Sequence, residues 1–277
     1  MHGKNDLRAD QLKMHNNHLQ RVIAMKVSTA WCLQRGGEFF LGLALVAVLA
    51  SHASAQTAEE VIAKNIKAQG GRDALMNLKA LERKGTVSVD GSFGQMEGTV
   101  EEVLIPWKKA RRSLDLTVFV QKDGWNGKVA WREGMAGVQE IEGEEASQIK
   151  QVVELNPLLM IGERGTKAEK LEDQTINDVA CYVIQLSPKD RPAVKLFIDQ
   201  KSDLIRRMTL TQNNPQFGEV EVVSEPSAYE KFGPVTLATK NKVALGDALK
   251  IETTFTETKI NGQVDESIFD VPKDAGK

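Results

Sequence analysis

After residue 52 the chain has no histidine: all four, His2, His15, His18 and His52, fall in the first fifth of its 277 residues. A polypeptide beginning near residue 56 therefore cannot build a Ser-His-Asp or Cys-His arrangement, and it lacks the most common metal ligand. Cysteine is almost as scarce, with Cys32 near the start and Cys181 far downstream. Cys181 lies in NDVACYVIQL, an apolar strand pattern, and reads as a buried small hydrophobe, so the fold must stand without disulfides. No apolar run is long enough to span a membrane: FFLGLALVAVLA, Phe39 to Ala50, has twelve residues where a bilayer core needs about 20. Basic excess is missing too. Of 36 basic and 38 acidic residues, six and three lie in residues 1–55, leaving 30 and 35 and a net charge of −5. That balance gives no footprint for nucleic acid or for an anionic membrane.

The twelve-residue run instead fits the apolar centre of an export signal. Lys26 and Arg35 precede it, and Ala53-Ser54-Ala55 follows with small residues at a signal-peptidase spacing. The expectation is a leader over residues 1–55, cleaved after Ala55, with Met25 as the working start because residues 1–24 are long and polar. Cys32 precedes the apolar run and cannot be a lipidated cysteine. The product, residues 56–277, is expected to be one soluble periplasmic domain, monomeric, of 222 residues. That is long enough to bury a core.

Thr57 and Glu60 have capping-box spacing. Val61, Ile62, Ile66 and Ala68 recur on one face, and Gly70-Gly71 ends the helix. RDALMNLKAL adds a short helical turn that offers Leu75, Leu78 and Leu81 to a core. From Gly85 onward the pattern changes to runs rich in Val, Thr, Ile and Phe. Asp90-Gly91-Ser92, Asn126-Gly127, Lys201-Ser202, Gly246-Asp247 and Asn261-Gly262 supply turn chemistry between them. The reading is mainly β (α+β), an antiparallel sheet of ten or eleven strands, with ARRSLDLTVFVQ taken as one strand. Helical spacing returns once, in EEASQIKQVVELNPLLMIGE. This places a covering helix near residues 144–161, which must lie over a face or a barrel mouth because it cannot join the ladder. No internal repeat or linker divides the domain.

Chemistry-bearing clusters are few. Glu101-Glu102 and Glu144-Glu145 are sequence neighbours and read as solvated surface. GERGTK at Gly162 lacks the Gly-Lys-Ser/Thr ending of a phosphate loop and reads as a loop. Arg111-Arg112 and Arg206-Arg207 sit inside strand patterns, so one of each pair should face inward, where it needs a carboxylate, helix-end carbonyls or an anionic ligand group. Either these are bulge or edge residues, or they latch the covering helix to the sheet.

The order of AEEVIAKNIKAQGGRDAL, WNGKVAW, NPLLMIGE, KLFIDQKSDLIRRM and NGQVDESIFDVP resembles the periplasmic outer-membrane lipoprotein-sorting family, the LolA/LolB-like fold, over residues 57–273. The resemblance implies an unclosed antiparallel barrel, or strongly curved sheet, with helices in its concave face. It also implies a binder of acyl chains without cofactor, metal or catalytic residue, whose partner is a lipid or an acylated lipoprotein. The candidate wall of the hollow is Val100, Trp107, Trp125, Trp131, Leu158, Leu159, Met160, Phe197 and Phe255. The sorting carrier fastens its lid with a strand arginine, and Arg111, Arg112, Arg206 and Arg207 are the candidates for that role here. A different class of function on the same scaffold is a periplasmic protein-interaction or envelope-stress sensor module, which recognises an envelope protein partner.

Overall fold

The computed structural model describes residues 56–162, 165–189, 191–214 and 218–273. The expected leader and its cleavage point, residues 1–55, lie outside them. Helix α1 (Ala58–Ala68) starts where the sequence places it: Thr57 accepts from the Glu60 amide, and the Glu60 carboxylate accepts from the Thr57 amide. Gly70 and Gly71 then take φ of 112° and 93°. At Gly70 a Cβ would also sit 2.1 Å from the Pro234 carbonyl oxygen, so no other residue fits there. Helix α2 (Arg72–Met76) follows and buries Leu75.

Most of the other described residues form one antiparallel sheet of 13 strands. Strands β1 (Leu81–Gly91), β2 (Gly94–Ile105), β3 (Lys109–Asp115), β4 (Val120–Trp125), β5 (Ala130–Gly134) and β6 (Gly137–Ile141) form one meander. The other is β7 (Lys167–Ile176), β8 (Val179–Ser187), β9 (Val194–Asp199), β10 (Ile205–Asn214), β11 (Gly218–Phe232), β12 (Val235–Leu245) and β13 (Leu249–Ile260). The meanders join in the middle of the sheet, where β1 pairs with β13, which leaves β6 and β7 as its two free edges. The sheet is curved and unclosed. The chain must therefore pass from one edge to the other between Ile141 and Lys167, and it does so across the concave face.

Two differences bring the expected ten or eleven strands to 13. ARRSLDLTVFVQ breaks into β3 and β4 at Thr117, whose φ is 68°. The polar GVQEI pairs as β6 because the β5 backbone beside it offers a ladder, not because its own pattern is apolar. Asn261-Gly262 is also not a hairpin. It ends β13, and the Asn261 side chain accepts from the Lys79 amide.

On the concave face, α1 and the crossing segment cover two apolar clusters. One gathers Leu75, Leu81, Leu104, Leu159 and Val235, the other Val61, Leu158, Ile184, Leu196 and Ile198. On the convex face, the C-terminal 3-10 turn (Glu266–Phe269) closes over β3 to β5. There the Trp131 indole donates to the Phe269 carbonyl at 2.8 Å.

Candidate functional site

The crossing segment starts with helix α3 (Gly143–Gln151), which is shorter than the expected covering helix. Residues 152–156 are not helical, and Pro157–Met160 form a 3-10 turn capped by the Asn156 side chain. Proline at the first position of that turn has no amide to donate, so it opens the turn but could not sit inside a continued helix.

The lid buries Ile149, Val153, Leu158 and Leu159, and a set of polar bonds fastens it in addition. Asn156, fully buried, donates from Nδ2 to Asn65 Oδ1 (2.8 Å) and Gln69 Oε1 (3.0 Å) of α1, while Asn65 Nδ2 donates to the Asp203 carbonyl (2.7 Å). Every amide in this network has a partner, which is the condition for burying such groups without a large penalty. The Trp107 amide donates to the Val153 carbonyl at 3.0 Å, and Arg72 Nη1 to the Leu159 carbonyl at 3.2 Å. Two ion pairs complete the attachment. Arg191, between β8 and β9, grips Glu154 with two parallel bonds of 3.1 and 3.0 Å. Arg132 of β5 bonds to Glu145 of α3 and, at 2.6 Å, to Asp123 of β4. Burial alone would lower the Arg132 pKa, but its two carboxylate partners hold it above its ordinary value.

Arg132 ends a longer row. The strand registers set Arg83 opposite Glu102, Glu102 opposite Arg112, Arg112 opposite Asp123 and Asp123 opposite Arg132. Charges thus alternate across five strands and finish on the lid at Glu145, a favourable cross-strand order. Glu102, 7% exposed, is the most deeply buried member, between an Arg83 hydrogen bond and Arg112 Nε at 3.5 Å. Burial pushes the Glu102 carboxyl up, and the two guanidiniums outweigh it, leaving the pKa below the ordinary value of 4.5. Arg83 also stacks 4.0 Å from the Phe255 ring.

Beside the lid lies a hollow in two connected parts. The inner part, about 180 Å³, is walled by Leu186, Val194, Met208, Leu210 and Val222, with Pro157 of the lid above. The outer part, about 570 Å³, runs between α3 and the ends of β10 and β11. Gln151, Arg191, Val194 and Leu210 line both and form the neck. A further space of about 180 Å³ shares Glu154, Pro157 and Met208 with the inner part and reaches Tyr229 and Arg83. The arrangement can hold an apolar group at the inner end and a polar one at the mouth.

None of the nine residues expected to wall the hollow does so. Leu158 and Leu159 are buried core under the lid, Trp107 and Trp125 pack half-buried against the same core, and Met160 is half-buried. Val100 and Phe255 belong to a separate cluster with Val87 and Leu116, on the far side of the charged row. Trp131 and Phe197 face the convex side. Phe197 packs with Ile176, Cys181 and Val183, while its neighbours Leu196 and Ile198 meet α1. Among the arginines, Arg112 joins the charged row and Arg111 lies by Trp131 on the convex face. Arg206 donates to the Ile176 carbonyl, and Arg207 binds Glu225 at 2.5 Å. The arginines on the lid, Arg72, Arg132 and Arg191, come from outside the strand pairs that the sequence singles out.

No family model matches the chain, and no curated protein matches it. Solved structures share its fold. A LolA superfamily protein from Nitrosomonas europaea superposes with a TM-score of 0.53 at 13% identity, over 78% of this chain and 98% of that one. A DUF1329 family protein from Desulfovibrio piger gives 0.54 at 9%, with the same coverage. A protein from Vibrio parahaemolyticus described as an outer membrane lipoprotein-sorting protein domain gives 0.51 at 10%, over 77% and 95%. The fold is LolA-like.

Proposed function

We propose that this chain is a periplasmic, non-catalytic binder of acyl chains, a carrier of lipid or acylated lipoprotein that works by sheltering the chain under the lid. The observation that carries the reading is the inner hollow: Met208, Leu210 and Val222 keep accessible apolar surface on the concave face although a covering segment lies directly above them. A compact core would have closed that space. Each methylene moved there from water contributes about 0.8 kcal/mol, so a chain is held without any reactive group. An apolar cavity of about 150 Å³ accommodates a benzene-sized group, so the inner space as it stands admits only the end of a long chain. Full entry requires the lid to lift, and the Arg191–Glu154 pair is the bond that lifting must break.

The LolA-like fold supports this reading, and the export-signal pattern of the sequence goes with it, a leader over residues 1–55 cleaved after Ala55 being part of the proposal. Native mass spectrometry of protein recovered from the periplasm tests both. The expected species begins at Gln56 and carries lipid. A protein consistently free of lipid that takes up no fluorescent fatty acid overturns the carrier function, and a product retaining residues 1–55 overturns the processing.

A second reading, recognition of an envelope protein partner, rests on a different place. Phe93, Val118 and Met135 are 59%, 72% and 91% exposed at the tips of the β1–β2, β3–β4 and β5–β6 hairpins, which the alternating meander puts at one end of the sheet. Co-purification of one stoichiometric protein, lost in a Phe93→Ser/Val118→Ser/Met135→Ser variant, is the result expected of it.

A further inference from the structure

We infer that the outer part of the hollow selects for the head of the bound amphiphile: it takes an uncharged head rich in hydrogen-bonding groups and rejects anionic heads. The inference rests on the carrier reading and concerns the same site.

The polar groups of the outer wall, set among Pro192, Val194 and Leu210, are mainly amides and hydroxyls, Ser147, Gln148 and Gln151 of α3 facing Thr211 and Gln212 of β10. Gln148 Nε2 donates to Gln212 Oε1 at 3.0 Å across the groove. That bond uses one donor of one amide and one acceptor site of the other. Each side chain keeps both a donor and an acceptor for a ligand, which suits groups that both give and accept, such as sugar hydroxyls or amides.

The charges at the mouth point the same way. Glu144 and Glu219 line it, both exposed, and among the described residues neither has a cation within ion-pair distance. The one guanidinium on the wall, Arg191, is already held bidentately by Glu154. Glu144 also sits in the first turn of α3, where its charge opposes any pull of the helix amides on an anion. Among the described residues lining the mouth, a phosphate or carboxylate would meet two carboxylates without an ion-pair partner and no cation but Arg191, which Glu154 holds. An uncharged head meets only the amides, which lose nothing by exchanging water for hydroxyls.

The test uses the purified chain and a series sharing one dodecyl tail: dodecanol, dodecyl maltoside, dodecyl phosphate and dodecyltrimethylammonium, each below its micellar concentration. Their displacement of the uncharged dye N-phenyl-1-naphthylamine is measured. Dodecyl maltoside is expected to displace at about tenfold lower concentration than dodecyl phosphate at low salt, with the gap narrowing at high salt as the carboxylates are screened. Glu144→Gln/Glu219→Gln should narrow it in the same way at low salt. Gln212→Leu should weaken the maltoside and leave dodecanol unchanged. Tighter binding of the phosphate or of the ammonium compound than of the maltoside overturns the inference, as does a ratio that the double glutamine variant does not move. Dodecanol separates the two levels of the argument: if it binds and the heads rank otherwise, only the head selectivity is lost. If neither dodecanol nor the dye binds, the carrier reading falls with it.

Discussion

Glu102→Gln removes one charge and almost no volume, at the middle of the most deeply buried part of the alternating row. In the native chain Glu102 lies between Arg83 and Arg112. The substitution leaves those two guanidiniums on the concave face with Asp123 as the only carboxylate on the neighbouring strands in register. Removing one partner of a buried ion pair costs about 3–5 kcal/mol, mostly from the charge left uncompensated. In a domain of this size 1 kcal/mol moves the melting temperature by about 2–4 °C, so a fall on the order of 10 °C is expected. Urea unfolding followed by tryptophan fluorescence should show the midpoint shifting at constant slope. The informative control is Arg83→Met/Glu102→Leu. It deletes one charge of each sign and leaves Arg112, Asp123, Arg132 and Glu145 as a balanced row, so it should cost less than the single change although it alters more atoms. A single variant within about 1 kcal/mol of wild type, the median worth of a surface pair, or a double variant that is the worse of the two, would refute the account of a coupled, buried row.

The same carboxyl predicts an acid dependence. Its folded pKa is depressed, so its stabilisation is present above the ordinary value of 4.5 and is lost as pH falls through the folded value; the deficit of Glu102→Gln against wild type should therefore shrink in urea melts run at progressively more acid pH. Arg191→Gln deprives the Glu154 carboxylate of its bidentate partner. A charged hydrogen bond contributes about 1.5–3 kcal/mol, so hydrogen exchange of amides 152–156 should accelerate by roughly 10- to 100-fold while exchange in β8 and β9 is unchanged, and dye uptake should quicken. Unaltered uptake would separate this ion pair from lid opening. Gly124→Ala would place a Cβ 2.2 Å from the Trp131 ring, overpacking the convex face at a cost of about 1–3 kcal/mol in thermal melts without changing acyl-chain binding.

Where local chemistry decides the structure, the sequence was readable. The Thr57–Glu60 capping box and the Asn126-Gly127 hairpin form as expected. In the hairpin, Gly127 takes φ 98° and Asn126 Oδ1 accepts from the Lys128 and Val129 amides. The alternation of Val and Thr gave the antiparallel sheet, and the run around Pro157 the covering segment. What escaped depends on register and on distant partners. Trp107 makes the β2–β3 turn at φ 69°, a conformation no pattern assigns to a tryptophan, and its amide is satisfied by Val153 of the lid. Trp131 and Phe197 looked like liners because aromatic and aliphatic residues are equally apolar on both faces of these strands. Only pairing shows that the even-numbered neighbours of Phe197 face α1. Arg132 and Arg191 carry no local signal: neither belongs to an adjacent arginine pair, and the unequal separations of Arg112, Asp123 and Arg132 become direct opposition only through the hairpin registers. The buried Asn65, on the apolar face of α1, was the other available clue. An amide there needs a partner, and Asn156 is the one it finds.

The contrast between the two kinds of fastening bears on how such a protein could both hold and release a chain. Had the lid been attached only by apolar packing, an incoming acyl chain would compete for the same surface, and binding would loosen the lid in proportion to what it gained. Here the C-terminal half of the lid is fixed by a network of buried amides, all partnered, whose loss would strand several polar groups at once, so it stays. The N-terminal half is held by the partly exposed Arg132–Glu145 pair, the more buried Arg191–Glu154 pair, and the packing of Ile149 and Val153. Under the carrier reading that difference makes a hinge of the lid: residues 143–154 lift about the anchored Asn156, breaking the two ion pairs and drawing Ile149 and Val153 out of their buried positions while Leu158 and Leu159 stay in place. The chain's passage from one edge of an unclosed sheet to the other makes such a bridge unavoidable, and the placement of polar attachments decides which end of it moves.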